Sequence, residues 1–331
     1  MFQTPFFHYS IIPSFQLGFH PKPKLELNTR VQKIADDLLL IPLNLPKAGF
    51  KEFISVWLYR GEMTCLVDVG PSTTGPHLLR VLNELKINQL DYILLTHIHL
   101  DHAGAIGEIA DEFPKTPIIC HPAARPHLIE PSRLWAGTKK VLGSMASAYG
   151  PIKPVAAHRL LEANGFKTES VISIITPGHA VHHVSYQIGN YLFVGEAAGV
   201  YVSLPQNRFY LRPATPPKFF LNIALQSVDS LIACHPGAIC YAHFGMHADA
   251  AKMLKIHRNQ LLFWEKLIEH EINNCGPIDP VNACMKRLMQ EDPRMAAFDQ
   301  LPPDVKEREI YFLQNSIKGY IGYLEFLKAD K

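Results

Sequence analysis

The sequence predicts an α/β fold, in which strands and helices alternate along the chain. Two observations point to this class. Short apolar and β-branched runs of strand length alternate with amphipathic segments of helical period, and the polar clusters follow directly after the runs. The 331 residues, 47% of them hydrophobic and 19% charged, are enough to bury a sizeable core.

The individual elements follow from the length and period of the apolar runs. Gly189-Asn190 separates two of these runs, as expected for a hairpin. Runs of strand length predict strands at residues 38–42, 54–59, 64–69, 91–96, 117–121, 171–175, 184–188, 191–194 and 238–241. Helical spacing predicts helices at residues 76–85, 103–113, 133–149 and 219–233.

The pattern of apolar and polar residues divides the chain into three parts. Residues 1–25 form an aromatic N-terminal extension, and residues 26–246 carry the alternating pattern of the α/β domain. From residue 247 to residue 331, apolar residues such as Leu254 and Leu261 recur at helical spacing. We therefore predict a helical C-terminal region packed on the α/β domain.

The composition narrows the class of protein. The formal net charge is +2 and no long run has one sign, so neither nucleic acid nor a membrane is an expected partner, and a small-molecule substrate is expected instead. No stretch reaches the roughly 20 apolar residues of a membrane helix. The six cysteines form no C-x-x-C pair and are interpreted as reduced thiols of a cytoplasmic protein, with one incidental disulfide in an exported protein as the alternative. A homodimer is left open.

The strongest motif is the H-x-H-x-D-H run that follows the apolar run at residues 91–96. An extended backbone places His97 and His99 on one side, while Asp101 and His102 lie where the chain turns into a helix. Imidazole and carboxylate are ligands that zinc, iron and manganese accept. The run therefore predicts a metal site.

Further ligands are expected from other strand ends. His179 follows Thr176-Pro177-Gly178, and His243 follows the last predicted strand. Glu196 follows Gly195 after the hairpin, where its carboxylate can bridge two ions. Each of these residues has an ordinary structural interpretation when taken alone. In sequence after the histidine run, they complete a ligand set for two ions.

In this order, the H-x-H-x-D-H run, His179, an acidic residue at 196 and His243 resemble the metallo-β-lactamase superfamily over about residues 30–245. The resemblance implies a four-layer αββα sandwich. It also implies that His97, His99 and His179 hold the first metal ion, and that Asp101, His102 and His243 hold the second. The bridging residue of that family is normally an aspartate, whereas this chain has Glu196. Two divalent ions are expected, zinc first, with iron or manganese as alternatives.

The resemblance also gives roles to residues beside the ligands. Asp68 resembles an early strand-end aspartate that accepts a hydrogen bond from a ligand imidazole; a turn or helix-cap aspartate is the alternative interpretation. Asp101 is expected to orient the nucleophile and to move a proton. Of His182 and His183, we predict His183 as the catalytic residue, acting as a proton donor or substrate contact.

Four further residues are weaker candidates. Tyr201, Tyr210 and Arg212 lie between Glu196 and the next helix, in a region that borders the site in the family, so they are candidate substrate contacts. Cys240 lies three residues before His243 but is interpreted as a core residue.

The ligand set predicts a metal-dependent hydrolase, in which two ions lower the pKa of a bridging water to about 7 and the resulting hydroxide attacks a polarised carbonyl. A small ester, thioester or lactone is the expected substrate, because the charge is near neutral and the helical tail resembles the lid of glyoxalase II-like thioesterases. The alternatives are a mononuclear iron dioxygenase of the persulfide type, a phosphodiesterase or ribonuclease, and a non-enzymatic sensor on the same fold.

Overall fold

The protein is described by a computed structural model that covers residues 31–206, 208–274 and 279–329. The extension predicted at residues 1–25 lies outside the described residues. Fourteen strands are assigned within them: β1 Gln32–Lys33, β2 Leu38–Leu43, β3 Ile54–Arg60, β4 Thr64–Val67, β5 Tyr92–Leu94, β6 Ile118–Cys120, β7 Leu160–Glu162, β8 Val171–Ile175, β9 Val184–Ile188, β10 Tyr191–Phe193, β11 Val200–Leu204, β12 Arg208–Arg212, β13 Ala238–Tyr241 and β14 Gly245–His247.

The helices lie between these strands and after them. In the same described residues they are α1 Gly75–Glu84, α2 Leu100–Ala103, α3 Ile106–Glu112, α4 Arg125–Ile129, α5 Ser132–Leu142, α6 Met145–Tyr149, α7 Leu221–Ala233, α8 Ala250–Asn274, α9 Pro280–Glu291 and α10 Pro303–Ala329. Short 3-10 turns lie at Ser72–Thr74, Pro122–Ala124, Ala157–Arg159 and Phe298–Gln300. Over the part of the chain that is described, no helix combines the length and apolar character needed to span a membrane.

The strands form two main sheets and a hairpin. The first sheet has the order β1-β2-β3-β4-β5-β6-β7, antiparallel up to β4 and parallel from β4 to β7. The second sheet has the order β14-β13-β10-β9-β8, with β10 and β13 parallel. Strands β11 and β12 pair with each other. The parallel strands β4, β5 and β6 are largely buried, β7 at the edge exposes two of its three residues, and helices lie in the connections between them.

Three buried clusters define the layers of the molecule. Leu40 and Trp57 of the first sheet pack against Tyr186 and Phe193 of the second, which fills the space between the sheets. A second cluster joins the outer face of the first sheet to α1 and α3, and a third joins the second sheet to α7, α8 and α10. The architecture is therefore the expected αββα sandwich with a helical C-terminal part.

The predicted elements differ from the observed ones in a few places. The helix predicted at residues 133–149 is two helices, α5 and α6, because the chain takes a positive φ of 55° at Gly143. The helix predicted at residues 103–113 is observed as α3, and the short α2 precedes it. Strands β1, β7, β11, β12 and β14 were not predicted, since their short runs carry little periodic signal.

Candidate metal centre

The loop that carries the histidine run is fixed by the preceding strand. Asp68, just after β4, has a positive φ of 58°, a conformation that aspartate tolerates better than most residues. Its carboxylate accepts hydrogen bonds from the backbone N–H of Thr96 (2.8 Å) and from the Thr96 hydroxyl. The carbonyl of His102 accepts from the N–H groups of Val69 and Gly70. The ends of β4 and β5 are thereby joined beneath the loop that contains His97 and His102.

Four side chains converge in a first group of donors: His97, His99, His179 and Glu196. Nδ1 of His99 lies 3.0 Å from Nε2 of His97 and 3.0 Å from Nε2 of His179. Nε2 of His179 lies 2.8 Å from Oε2 of Glu196. His179 follows His99 by 80 positions in the sequence, so distant strand ends present their donor atoms to one point, as the sequence predicts for the first ion.

A second group consists of Asp101, His102 and His243. Oδ2 of Asp101 lies 3.6 Å from Nε2 of His102 and 3.8 Å from Nε2 of His243. Both histidines are buried, while 15% of the Asp101 side chain is exposed. These are the three residues that the sequence predicts for the second ion.

Glu196 stands between the two groups. Its Oε2 lies 3.4 Å from Nε2 of His97 and 3.5 Å from Nε2 of His102, while its Oε1 lies 3.4 Å from Nε2 of His243. The carboxylate therefore faces both groups at once. The extra methylene of glutamate, relative to aspartate, does not keep it from the bridging position.

In four of the five histidines of the centre, the ring nitrogen that faces away from the centre is held from behind. In these pairs a carboxylate, carbonyl or hydroxyl oxygen fixes the ring and its tautomer, as is usual around protein metal sites. They are His97 with the hydroxyl of Thr96 (3.1 Å), His102 with Asp68 (3.1 Å), His179 with the carbonyl of Ala214 (2.9 Å) and His243 with the carbonyl of Phe53 (3.2 Å). The role predicted for Asp68 is thus the one that the geometry supports.

The residues of this centre fit metal ions. Nε2 of His102 is fully buried without a hydrogen-bond partner, although a buried imidazole nitrogen normally has one. Donor atoms bound at about 2.0–2.1 Å to one tetrahedral ion lie about 3.3–3.4 Å apart, and the first group spans 2.8 to 3.4 Å between neighbouring donors. A cation held by the second group would give Nε2 of His102 its missing partner.

Burial and the carboxylates act in opposite directions on the pKa values of the centre. Burial lowers the pKa of His99 to about 4, so its ring is neutral and offers a lone pair. Burial also opposes protonation of His102, but the carboxylates of Asp101, Asp68 and Glu196 outweigh it and raise the pKa of that ring. His179, followed by His243 and His102, holds the pKa of Glu196 well below its usual range despite the burial of that carboxylate.

His183 lies elsewhere than predicted. The ring is fully buried, its Nδ1 lies 2.9 Å from the Thr176 hydroxyl, and its Nε2 accepts the backbone N–H of Glu196 at 3.2 Å. Both ring nitrogens thus have partners inside the protein, so His183 has no donor to present to a substrate. The catalytic role that the sequence predicts for His183 is therefore corrected. It supports the Glu196 turn instead: Gly195 has a φ of +52°, and a Cβ there would lie 2.4 Å from the His183 ring.

His182, ranked below its neighbour by sequence, faces the open side. It lines a cleft of about 500 Å³ together with His99, Asp101, His179 and Glu196. Its Nδ1 is buried without a partner, and burial lowers the pKa of the ring to about 3. Adjacent residues at the start of a strand point in opposite directions, but the sequence does not show whether His182 or His183 points to the cleft.

Of the three candidate contacts after Glu196, the structure brings only Arg212 to the cleft. Tyr201 stacks on Tyr241 with ring centroids 4.8 Å apart, and Tyr210 is fully buried against Phe298. Both tyrosines are therefore core residues rather than substrate contacts. Cys240 is buried between the sheets, as predicted.

Sequence reasoning missed the support that α10 gives to the second group. The ring of Phe53 stacks on His243, with centroids 4.2 Å apart, and the guanidinium of Arg308 lies 3.9 Å from the centroid of Phe53. Arg308 in turn pairs with the buried carboxylate of Glu309, which also binds Arg212. Phe53 and His243 are 190 positions apart, and no periodicity links them.

Comparison with known proteins places this centre in a family. The family model of the metallo-beta-lactamase superfamily matches residues 50–243, a span that holds every donor described above. The chain belongs to this superfamily. Its resemblance to the glyoxalase II-like branch rests on a shorter match: 145 residues, 43% of this chain and 45% of the relative, are 29% identical to a hydroxyacylglutathione hydrolase of Pectobacterium atrosepticum.

A longer match is to an archaeal member of the superfamily. The metallo-beta-lactamase fold-containing protein ST1585 of Sulfurisphaera tokodaii is 28% identical over 228 residues, 66% of this chain and 82% of the relative. The crystal structure of ST1585 from Sulfolobus tokodaii superposes with a TM-score of 0.64 at 24% identity, over 87% of this chain and 99% of that one. The shared fold thus extends over the helical C-terminal part as well.

Proposed function

We propose that this protein is a hydrolase that holds two divalent ions, preferably zinc, and cleaves a small-molecule ester, thioester or lactone. The observation that carries the proposal is the Glu196 carboxylate, which faces two groups of histidine and aspartate donors at one end of an open cleft. Membership of the superfamily supports it. The thiols of Cys65, Cys120, Cys234 and Cys240 support a cytoplasmic location.

The side chains of the centre have distinct tasks in such a reaction. Two divalent ions, when bound, acidify water and polarise a carbonyl oxygen. Asp101 lines the cleft, and its Oδ2, within 4 Å of both His102 and His243, can accept the proton that the attacking water loses. The buried, supported imidazoles keep the donor set rigid, so little reorganisation accompanies the reaction.

The cleft favours a carbonyl substrate over a nucleic acid. Apolar side chains, among them Phe53, Leu134 and Phe312, make up much of its wall, and the chain has a formal net charge of only +2. A nuclease would need a basic stripe for the phosphate backbone. The partial match to a hydroxyacylglutathione hydrolase supports a thioester, but glutathione itself is not proposed.

The two-ion proposal also differs from a mononuclear iron dioxygenase. A single-ion enzyme would have no use for the second donor group. Here His102 and His243 both carry oxygen partners behind their rings, at 3.1 and 3.2 Å. That degree of support favours a second ion and hydrolysis.

Metal analysis combined with a substrate screen tests the proposal. Protein purified without added metal is assayed for metal content, then for turnover of an ester, a thioester, a lactone and a phosphodiester. We expect two ions per chain and turnover of a carbonyl substrate. One iron per chain with oxygen uptake would support the dioxygenase instead, and cleavage of the phosphodiester alone would support the phosphodiesterase.

A further inference from the structure

The cleft beside the centre has a wall that no part of the described chain covers. Its volume is about 500 Å³, within the range of ligand pockets, and donors of both groups open onto it. Helix α5 forms part of this wall, and none of its 11 residues is buried. A helix of this length normally buries its apolar stripe against protein.

The residues of α5 that line the cleft share one helical face. Leu134, Gly137, Thr138 and Val141 follow the i, i+3, i+4, i+7 spacing, and all four border the cleft. The side chain of Val141 is 67% exposed, and a Cβ built on Gly137 meets nothing within 4 Å. Leu134 packs partly against the core of the first sheet, so the part of this face that is open to an occupant lies at Gly137 and Val141.

Aromatic rings add a second apolar surface to the same cleft. Phe53 and Phe312 stack with centroids 6.0 Å apart, and Phe53 is held between Arg308 and His243. Because His243 belongs to the second donor group, this surface begins at the centre itself. The apolar lining is thus continuous with the place where the carbonyl would react.

We propose that the cleft binds the unbranched hydrocarbon chain of an acyl ester or thioester, along the α5 face and the Phe53–Phe312 pair. The acyl side is assigned because the attacked carbonyl carbon belongs to it. A chain on that carbon is positioned relative to both donor groups whatever leaving group departs. This assignment rests on the proposed hydrolase function and names its substrate class.

Two chain-length series test the assignment. The first measures kcat/KM for esters of one leaving group with acyl chains of two to twelve carbons. We expect about a fourfold rise per methylene, the value of roughly 0.8 kcal/mol per buried methylene, until the cleft is filled. The second measures, by calorimetry, the binding of butanoate, hexanoate, octanoate and decanoate to protein from which a chelator has removed the metal. This measurement needs no turnover.

Variants of α5 connect the effect to the helix. Val141→Asp should reduce the dependence of kcat/KM and of binding affinity on chain length. Gly137→Leu fills open space in the cleft, so both quantities should stop rising at shorter chains. Lys140→Asp on the exposed side of the same helix is the matched control and should leave both series unchanged.

The outcomes separate the two proposals. Binding that tightens with chain length in a protein without esterase activity would keep the acyl site and reject the hydrolase. Turnover of the acetyl ester with no length dependence in either series would keep the hydrolase and reject the acyl site. A length dependence seen only when the alcohol is extended would also overturn the acyl assignment.

Discussion

Histidine is buried in two regions of this molecule, with opposite consequences. His257 on α8 is 3% exposed, and burial lowers its pKa to about 3, with only a weak opposing contact from Gln260. His102 in the centre is 1% exposed, yet three carboxylates overcome the same burial and raise its pKa. The difference lies in the neighbouring acids and not in the depth of burial.

This contrast shows what marks a ligand. In the centre, the rings are held from behind by oxygen atoms and direct their other nitrogens toward carboxylates. On α8, the His257 ring lies against Gly199 and beside a small cavity that His179 and Glu196 also line, and no carboxylate is among the groups that shift its pKa. Removing a histidine should therefore release metal in the first region and change only acid stability in the second.

The largest expected effect comes from His99→Ala. The first group loses a donor that lies 3.0 Å from two others, so we expect loss of bound metal and a fall in activity of more than about 100-fold. Metal content and turnover measure it, with exposed His158→Ala as the control. Full turnover by the His99 variant would remove the basis of the metal hypothesis.

Glu196 is expected to affect both groups. Glu196→Gln keeps the shape but removes the charge that faces His97, His102, His179 and His243, so both ions should bind more weakly, by about 10- to 100-fold. Glu196→Asp keeps the charge and should retain two ions. Metal titration in a calorimeter measures the number of ions bound by each variant and their affinities. An aspartate variant that fails to fold would show that the residue is structural.

Asp68→Asn should act mainly on the second group. It weakens the support behind His102, and we expect a loss of about 10- to 100-fold in affinity for the second ion, with the first retained. A two-step metal titration resolves the two affinities, and exposed Asp111→Asn is the control. Equal loss of both ions would mean that Asp68 supports the loop as a whole.

The smallest effect is expected from His257→Leu. The folded pKa of about 3 is below the unfolded value of about 6.5, so the unfolded state binds more protons between these values and stability falls as the pH drops through that range. The variant should lose this contribution, which is about 1.4 kcal/mol per pH unit within the window. Denaturant unfolding at pH 7, 6 and 5 measures it. His270→Leu, exposed on the same helix, should keep the parental slope.

The sequence was sufficient to predict the features that depend on a local pattern or on a motif. The H-x-H-x-D-H run follows an apolar strand, and the turns at His179 and Glu196 carry their glycines, so these donors were predictable. The contacts that rank residues within the site are long-range. Whether His182 or His183 faces the cleft depends on Gly195 and Thr176 packing against one of them, which no local pattern records.

The same limit explains the difference between the predicted and the observed helices at residues 133–149. The long helix predicted at residues 133–149 is interrupted at Gly143, and the resulting short α5 turns its apolar face to the cleft. Amphipathicity predicted a helix there, but an apolar face is equally suited to protein and to ligand. Only the positions of the neighbouring elements show which of the two it meets.

The contact between Arg308 and Phe53 connects cation affinity to the folding of distant helices. Local opening of α10 would release Phe53 from behind His243, so bound metal opposes that opening by the difference between its affinities for the closed and the opened protein. Hydrogen exchange of α10 amides should therefore slow as metal is added, in a segment that contributes no donor atom. The last helix of the chain is in this sense a reporter of how firmly the ions are held.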